Sequence, residues 1–189
     1  MRVGILGGSF DPPHLGHILV ARQVKEIMKL DEVWLIPYFM HSWDKNVSLA
    51  RHRLAMTKLI EEKGIIVSDE EIKYKRKNYT IQTVRRLKEK YSHTFFWIVG
   101  SDMLVDFKRW KEHENLIKEI EFLVVIRNGH SLPSRLPKSF KLVSSPEFIT
   151  SNLSSSIIRY RIMKNLSVSG LVPKPVLSYI KKRKLYKTP

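Results

Sequence analysis

Short apolar runs alternate with stretches of helical period from one end of the chain to the other. Residues 3–6, 33–37, 65–68, 95–99 and 122–127 are rich in Val, Ile, Leu and Phe and have the length of buried strands, and residues 141–143 form a weaker sixth. Between them, apolar positions recur every three or four residues. Residues 15–28 carry a stripe through Leu19, Val20, Val24, Ile27 and Met28, and residues 49–63 follow Ser48 as an expected N-cap. Further helices are expected over 80–91, 155–164 and 174–181. Strands this short, separated by helices, require crossover connections. They predict a doubly wound α/β domain, a mostly parallel sheet with helices on both faces. In such folds ligands bind beyond the carboxyl ends of the strands, so the loops after strands one, two and four are where chemistry is expected.

The chain of 189 residues is long enough for one domain with its own core. Residues 1–189 read as that single domain, with a basic helical tail from about residue 165. No cysteine is present, which excludes disulfides and thiolate metal sites. No apolar stretch approaches a membrane span, and the first strand-like run is too short for a signal peptide, so a soluble, cytoplasmic protein is expected. The charge changes the picture more. Lys and Arg number 34 against 18 Asp and Glu, a formal +16. Such a field attracts polyanions without choosing among nucleotides, nucleic acid and acidic membranes. A lysine-rich solvated surface accounts for it as well as a nucleic-acid face does.

The loop after the first strand reads Gly7-Gly8-Ser9-Phe10-Asp11-Pro12-Pro13-His14-Leu15-Gly16-His17. Adjacent glycines allow a tight turn and close approach of the backbone to a ligand. The helix start that follows offers free N–H groups to phosphate. Two histidines three residues apart at that start would share one face. Neither the G-x-G-x-x-G fingerprint nor a P-loop is present. Near the other end, Ser154, Ser155, Ser156 and Arg159 gather hydroxyls, amides and a guanidinium at an expected helix start. Plain capping needs fewer, and a triphosphate cradle would use all of them.

These residues carry a resemblance. Residues 7–17 resemble the G-G-[ST]-F-D-P-x-H-x-G-H signature of the H-x-G-H nucleotidylyltransferases, most closely the nicotinate-nucleotide adenylyltransferases. Phosphopantetheine adenylyltransferases usually have Thr where this chain has His14. Leu153–Arg159 resembles the family motif I-S-S-[TS]-x-I-R, with Leu at its first position. The resemblance implies a Rossmann-like nucleotidylyltransferase fold and transfer of AMP from ATP to nicotinate mononucleotide, with release of pyrophosphate. It implies His14 and His17 as catalytic residues. The ATP site would comprise Gly7, Gly8, Ser9, Phe10, His14, His17, Gly100, Asp102, Ser154, Ser155, Ser156 and Arg159. Mg²⁺ would arrive with ATP, without side-chain ligands of its own.

Gly100-Ser101-Asp102-Met103-Leu104 resembles the family's G-A-D-M-L, where the Asp contacts ribose; here Asp102 could equally cap the next helix. Trp110 matches a tryptophan that stacks on the acceptor's pyridine ring. Tyr79 and Thr80 match a segment lying along the ring substituent, although Gln82 replaces the usual Asp. Relatives have adjacent His and Lys in the loop after strand two, whereas His41 and Lys45 here stand four apart. Both are carried over as acceptor-binding residues. Nicotinamide mononucleotide, phosphopantetheine or FMN as acceptor remain alternatives, as does, from another class, a basic nucleic-acid-binding module. The sequence leaves homo-oligomer formation open.

Overall fold

A computed structural model describes residues 1–40, 47–127, 129, 132–133 and 135–187. Six strands, β1 (Arg2–Gly8), β2 (Glu32–Pro37), β3 (Ile65–Val67), β4 (Thr94–Gly100), β5 (Glu121–Val125) and β6 (Phe140–Leu142), form one sheet in the order β3-β2-β1-β4-β5-β6. Every pairing is parallel. The strand order reverses at β1, so a crevice opens beyond the carboxyl ends of β1 and β4. The helices are α1 (Leu15–Ile27), α2 (Ala50–Lys58), α3 (Thr80–Lys90), α4 (His113–Glu119), α5 (Ser155–Met163) and α6 (Lys174–Arg183).

Successive strand residues point to opposite faces, and the two faces bury different sets. Val33, Leu35, Phe96, Ile98, Leu123 and Val125 pack in one layer with residues of α1, α2, α5 and α6. Trp34, Ile36, Phe95, Trp97, Phe122 and Val124 pack in the other with α3 and α4. Both layers are buried, which is why the strands read as unbroken apolar runs. The C-terminal stretch supplies Val168, Val172, Val176 and Ile180 to the first layer, while Lys181, Lys182 and Arg183 stay exposed.

Several expectations need correction. The core stripe of α1 runs through Ile18, Ala21 and Val24 to Met28, with Leu19 only partly buried. Ser48 does not cap α2. Leu49 occupies that position, and the Ser48 backbone is used elsewhere, its N–H donating to Asp11 and its carbonyl accepting from Arg53. The helix ends at Lys58 rather than 63, because the chain turns through Gly64 at φ 81 to enter β3. α4 was not foreseen; it is short and strongly polar, and it starts from Glu112 in left-handed backbone at φ 52. β5 stops at Val125, two residues before the expected end, which frees Arg127 from the sheet. No helix among the described residues is long and apolar enough to cross a membrane.

Candidate active site

Gly7 and Gly8 end β1, Gly100 ends β4, and Arg127 follows β5, so all four lie at the carboxyl edge beside the crevice. Gly100 has no room for a side chain: a Cβ there would meet the Asp102 carboxylate and, at 2.8 Å, Arg127 Cδ. Asp102 opens a 3₁₀ turn, Ser101–Leu104, without capping it. Its Oδ2 accepts from Arg127 Nη1 at 2.7 Å, and the Ser101 hydroxyl accepts from the Arg127 N–H at 3.0 Å. Asp102 Oδ1 is buried with no hydrogen-bond partner among the described residues.

His14 is the N-cap residue of α1 and His17 lies three positions on, inside its first turn. The His14 N–H donates to His17 Nδ1 at 3.1 Å, and the rings stack with centroids 3.7 Å apart. Because His17 Nδ1 accepts, the neutral ring carries its proton on Nε2 as a donor. Phe10 packs on the other side of His17 at 4.8 Å. Gly16 between the histidines lets α1 sit close to the later motif: a Cβ there would lie 3.0 Å from His14 Nδ1 and 3.4 Å from Leu153 Cβ. His14 Nδ1 is buried and unpartnered among the described residues.

Burial, reinforced by the positive charge of Arg127, pushes the His14 imidazole down to about 4. Burial, then His14, then Arg127 hold His17 well below its ordinary value. Both rings are therefore neutral at pH 7. Unfolding releases His14 to its ordinary value near 6.5, so the unfolded chain takes up the proton first as pH falls. The His14 contribution to stability, about 3 kcal/mol, should thus fall from about pH 6.5 and be lost by about pH 4. Urea melts at pH 7, 5.5 and 4.5 check this, because His14→Gln should lose less stability in acid than wild type. Equal losses would show that His14 is not held neutral by the fold.

The second motif joins the first directly. Ser154 caps α5 by accepting from the Ile157 N–H at 3.2 Å. The Ser155 hydroxyl donates to the Pro12 carbonyl at 2.8 Å, and Arg159 Nη1 donates to the Asp11 carbonyl at 2.8 Å. Arg159 Nη2 reaches the Ser156 hydroxyl at 3.3 Å. Residues some 140 positions apart are thus held in one constellation, and the arginine fork keeps further donors for an anion.

Tyr79 and Thr80 start α3, where backbone N–H groups are free. The ammonium groups of Lys77 and Lys111 lie 5.1 and 4.6 Å from the Tyr79 ring centroid. Trp110, next to Lys111, is partly buried against Phe107 at 5.4 Å. His41 and Lys45 lie outside the described residues.

Two residues were missed by sequence reasoning. Arg127 belongs to no motif, and its only signal is its place at the end of an expected strand. Arg53 looks like one more basic helix residue, yet it is fully buried. Its guanidinium donates to the carbonyls of Ser48, Ser9 and Phe39 at 2.9, 2.9 and 2.8 Å, tying the loops after β1 and β2 together. The clue lay in α2's periodicity, which puts Arg53 on the same face as Met56, Thr57 and Ile60.

The cytidylyltransferase-like family matches this chain over residues 5–161, which take in both histidines and the serine–arginine turn. That sets the class, a nucleotidyltransferase on a parallel α/β fold. The probable nicotinate-nucleotide adenylyltransferase of Oceanobacillus iheyensis is 39% identical over 97% of this chain and 96% of its own. Its counterpart in Exiguobacterium sibiricum is 37% identical over 100% of both. Among solved structures, Plasmodium falciparum nicotinic acid mononucleotide adenylyltransferase complexed with NaAD superposes with a TM-score of 0.83 at 25% identity, covering 98% of this chain and 97% of that one. The chain belongs to the cytidylyltransferase-like family and, within it, to the nicotinate-nucleotide adenylyltransferases.

Proposed function

We propose that this enzyme transfers AMP from ATP to nicotinate mononucleotide, releasing pyrophosphate and forming deamido-NAD. The observation that carries the reading is the joining of the two motifs, with Arg159 and Ser155 bonded to the Asp11 and Pro12 carbonyls beside the stacked histidines. A phosphate oxygen of the acceptor attacks the α-phosphorus in line; the new P–O bond forms as the bond to the β-phosphate bridge breaks. A phosphomonoester with a second pKa near ~6 is already mostly dianionic at pH 7, so no general base is needed. The protein's part is positioning and charge stabilisation.

In this scheme the neutral His17 donates from Nε2 to the α-phosphate, and His14 lies against the neighbouring phosphates. Ser154, Ser155, Ser156 and Arg159 hold the β- and γ-phosphates. Gly7, Gly8, Ser9, Phe10 and Gly100 shape the cradle, and Asp102, whose Oδ1 has no partner among the described residues, takes the ribose. Arg127 adds positive charge at the same edge. Mg²⁺ enters as part of the ATP substrate, its ligands mostly phosphate and water oxygens. Trp110 stacks on the pyridine ring, and the α3 N-terminus at Tyr79 and Thr80, with Lys77 and Lys111 near it, suits a carboxylate.

Pyrophosphate release measured with a panel of acceptors tests the assignment. Nicotinate mononucleotide should give kcat/KM at least ~10-fold above nicotinamide mononucleotide, since a site built for a carboxylate leaves polar groups unpaired around an amide. Equal values for the two would refute the acceptor while leaving adenylyl transfer intact. Arg159→Ala should raise KM for ATP by roughly tenfold or more, the scale of a lost charged hydrogen bond, with the acceptor KM unmoved. An unchanged KM for ATP would remove Arg159 from the cradle.

A further inference from the structure

Asp11 sits in the middle of the histidine loop, completely buried, and has no part in the chemistry above. Its carboxylate is held from two sides. The Tyr186 hydroxyl donates to Oδ1 at 2.6 Å, and the Ser48 N–H donates to Oδ2 at 2.9 Å. Tyr186 is 175 residues further along the chain, in the turn after α6, where Lys184 (φ 52) and Tyr186 (φ 63) both take left-handed backbone. Burial and the Asp11 charge push the Tyr186 phenol upward, so it stays a protonated donor.

The residue before Asp11 shows why such an anchor is needed. Phe10 is fully buried, with φ 49, a conformation a non-glycine residue keeps only when its surroundings over-determine it. That turn sets where Phe10 meets the His17 ring and where the chain enters α1. Downstream, the Asp11 and Pro12 carbonyls are already taken by Arg159 and Ser155. Arg53 holds the Ser9 carbonyl upstream, and the Asp11 carboxylate is a further handle, gripped by the C-terminal turn and the Ser48 N–H.

We propose that Tyr186 is a positioning residue for adenylyl transfer: through its hydrogen bond to Asp11, the C-terminal turn fixes the loop that carries His14 and His17. The catalytic consequence rests on the functional reading above, whereas the latch itself is a property of the unliganded protein. α6 does not depend on this hydroxyl for its seat. Val176 and Ile180 bury it, and the Tyr179 hydroxyl bonds His52 Nδ1 at 2.9 Å.

Tyr186→Phe removes one oxygen, and Tyr179→Phe, whose hydroxyl contacts α2, is its control. Two measurements apply: amide hydrogen exchange of a peptide spanning residues 7–17 without substrates, and kcat and KM from pyrophosphate release. For Tyr186→Phe, exchange in that peptide should quicken by about tenfold, the effect of losing one charged hydrogen bond. Its kcat should fall about tenfold with both KM values within roughly twofold, as expected when reacting groups are displaced by a fraction of an ångström. Tyr179→Phe should change neither. Wild-type exchange and kcat in Tyr186→Phe would overturn the proposal. If that variant melts too low to assay, Asp11→Ala deletes both acceptor oxygens and should give the same pair of changes; wild-type behaviour there would overturn it equally. If the wild-type protein released no pyrophosphate from ATP and nicotinate mononucleotide, the functional reading would fall, and hydrogen exchange alone would decide the latch.

Discussion

His17→Ala is expected to lower kcat by ~10²-fold or more while the chain stays folded, because in the proposed mechanism it removes a donor aimed at charge that develops in the transition state. The ring is clamped in place. Its Nδ1 takes the His14 N–H, its face stacks on His14, and Phe10 packs behind it. That clamp fixes the tautomer, leaving the Nε2 proton as the one the ring can offer. Burial keeps the ring neutral, so it acts as a preorganised dipole that needs no protonation event. Consequently kcat should not depend on His17 titration between pH 6.5 and 8. The folding cost is one capping hydrogen bond plus the ring contacts with His14 and Phe10, together on the order of 2 kcal/mol, several degrees of melting temperature in a chain of this size. Steady-state pyrophosphate release at saturating ATP and acceptor reads the effect, and a KM for ATP that moves less than kcat would mark it as transition-state stabilisation. Turnover near wild type would exclude His17 from the chemistry.

What the sequence disclosed follows from how local each feature is. The strands could be read because both faces of the sheet are buried, so runs such as 95–99 are apolar without interruption. The histidine and serine–arginine motifs could be read because each is a short segment whose geometry is set within a turn or two of helix. Arg127 could not, since its importance comes from β5 stopping early and from Gly100 leaving space for its side chain. Ser48 misled for a related reason. A serine before an apolar helix is a fair cap by local rules, but its backbone is claimed by Asp11 and Arg53 from other parts of the fold. Tyr186 escaped notice because its partner lies 175 residues away. The same argument separates the proposed ATP side, drawn from short motifs, from the proposed acceptor side, drawn from residues in separate segments. His41 and Lys45, expected on the acceptor side, lie outside the described residues.

Arg53 is the clearest case of a long-range demand, and its removal should cost the most stability. Arg53→Met keeps much of the volume and the helix propensity while deleting all the guanidinium donors. The carbonyls of Ser9, Phe39 and Ser48, in partly buried residues, would then lose their fully buried donor. An acceptor left unpaired costs about 1–3 kcal/mol, and partial access to water puts these three at the low end, so a total of about 3 kcal/mol is expected. In a chain of this length that corresponds to roughly 10 °C in melting temperature. The contact with the Tyr38 ring, 5.0 Å from the guanidinium carbon, is lost as well. Arg53→Lys separates charge from geometry. It restores a cation, but an ammonium is a compact point and cannot span three carbonyls that a planar fork meets on different edges. Thermal melts of the two variants should therefore rank wild type above Lys and Lys above Met, with Lys recovering less than half of the loss. A Met variant within about 1 kcal/mol of wild type would mean that water or loop rearrangement satisfies those carbonyls. The loops after β1 and β2 would then owe their arrangement to something other than this arginine.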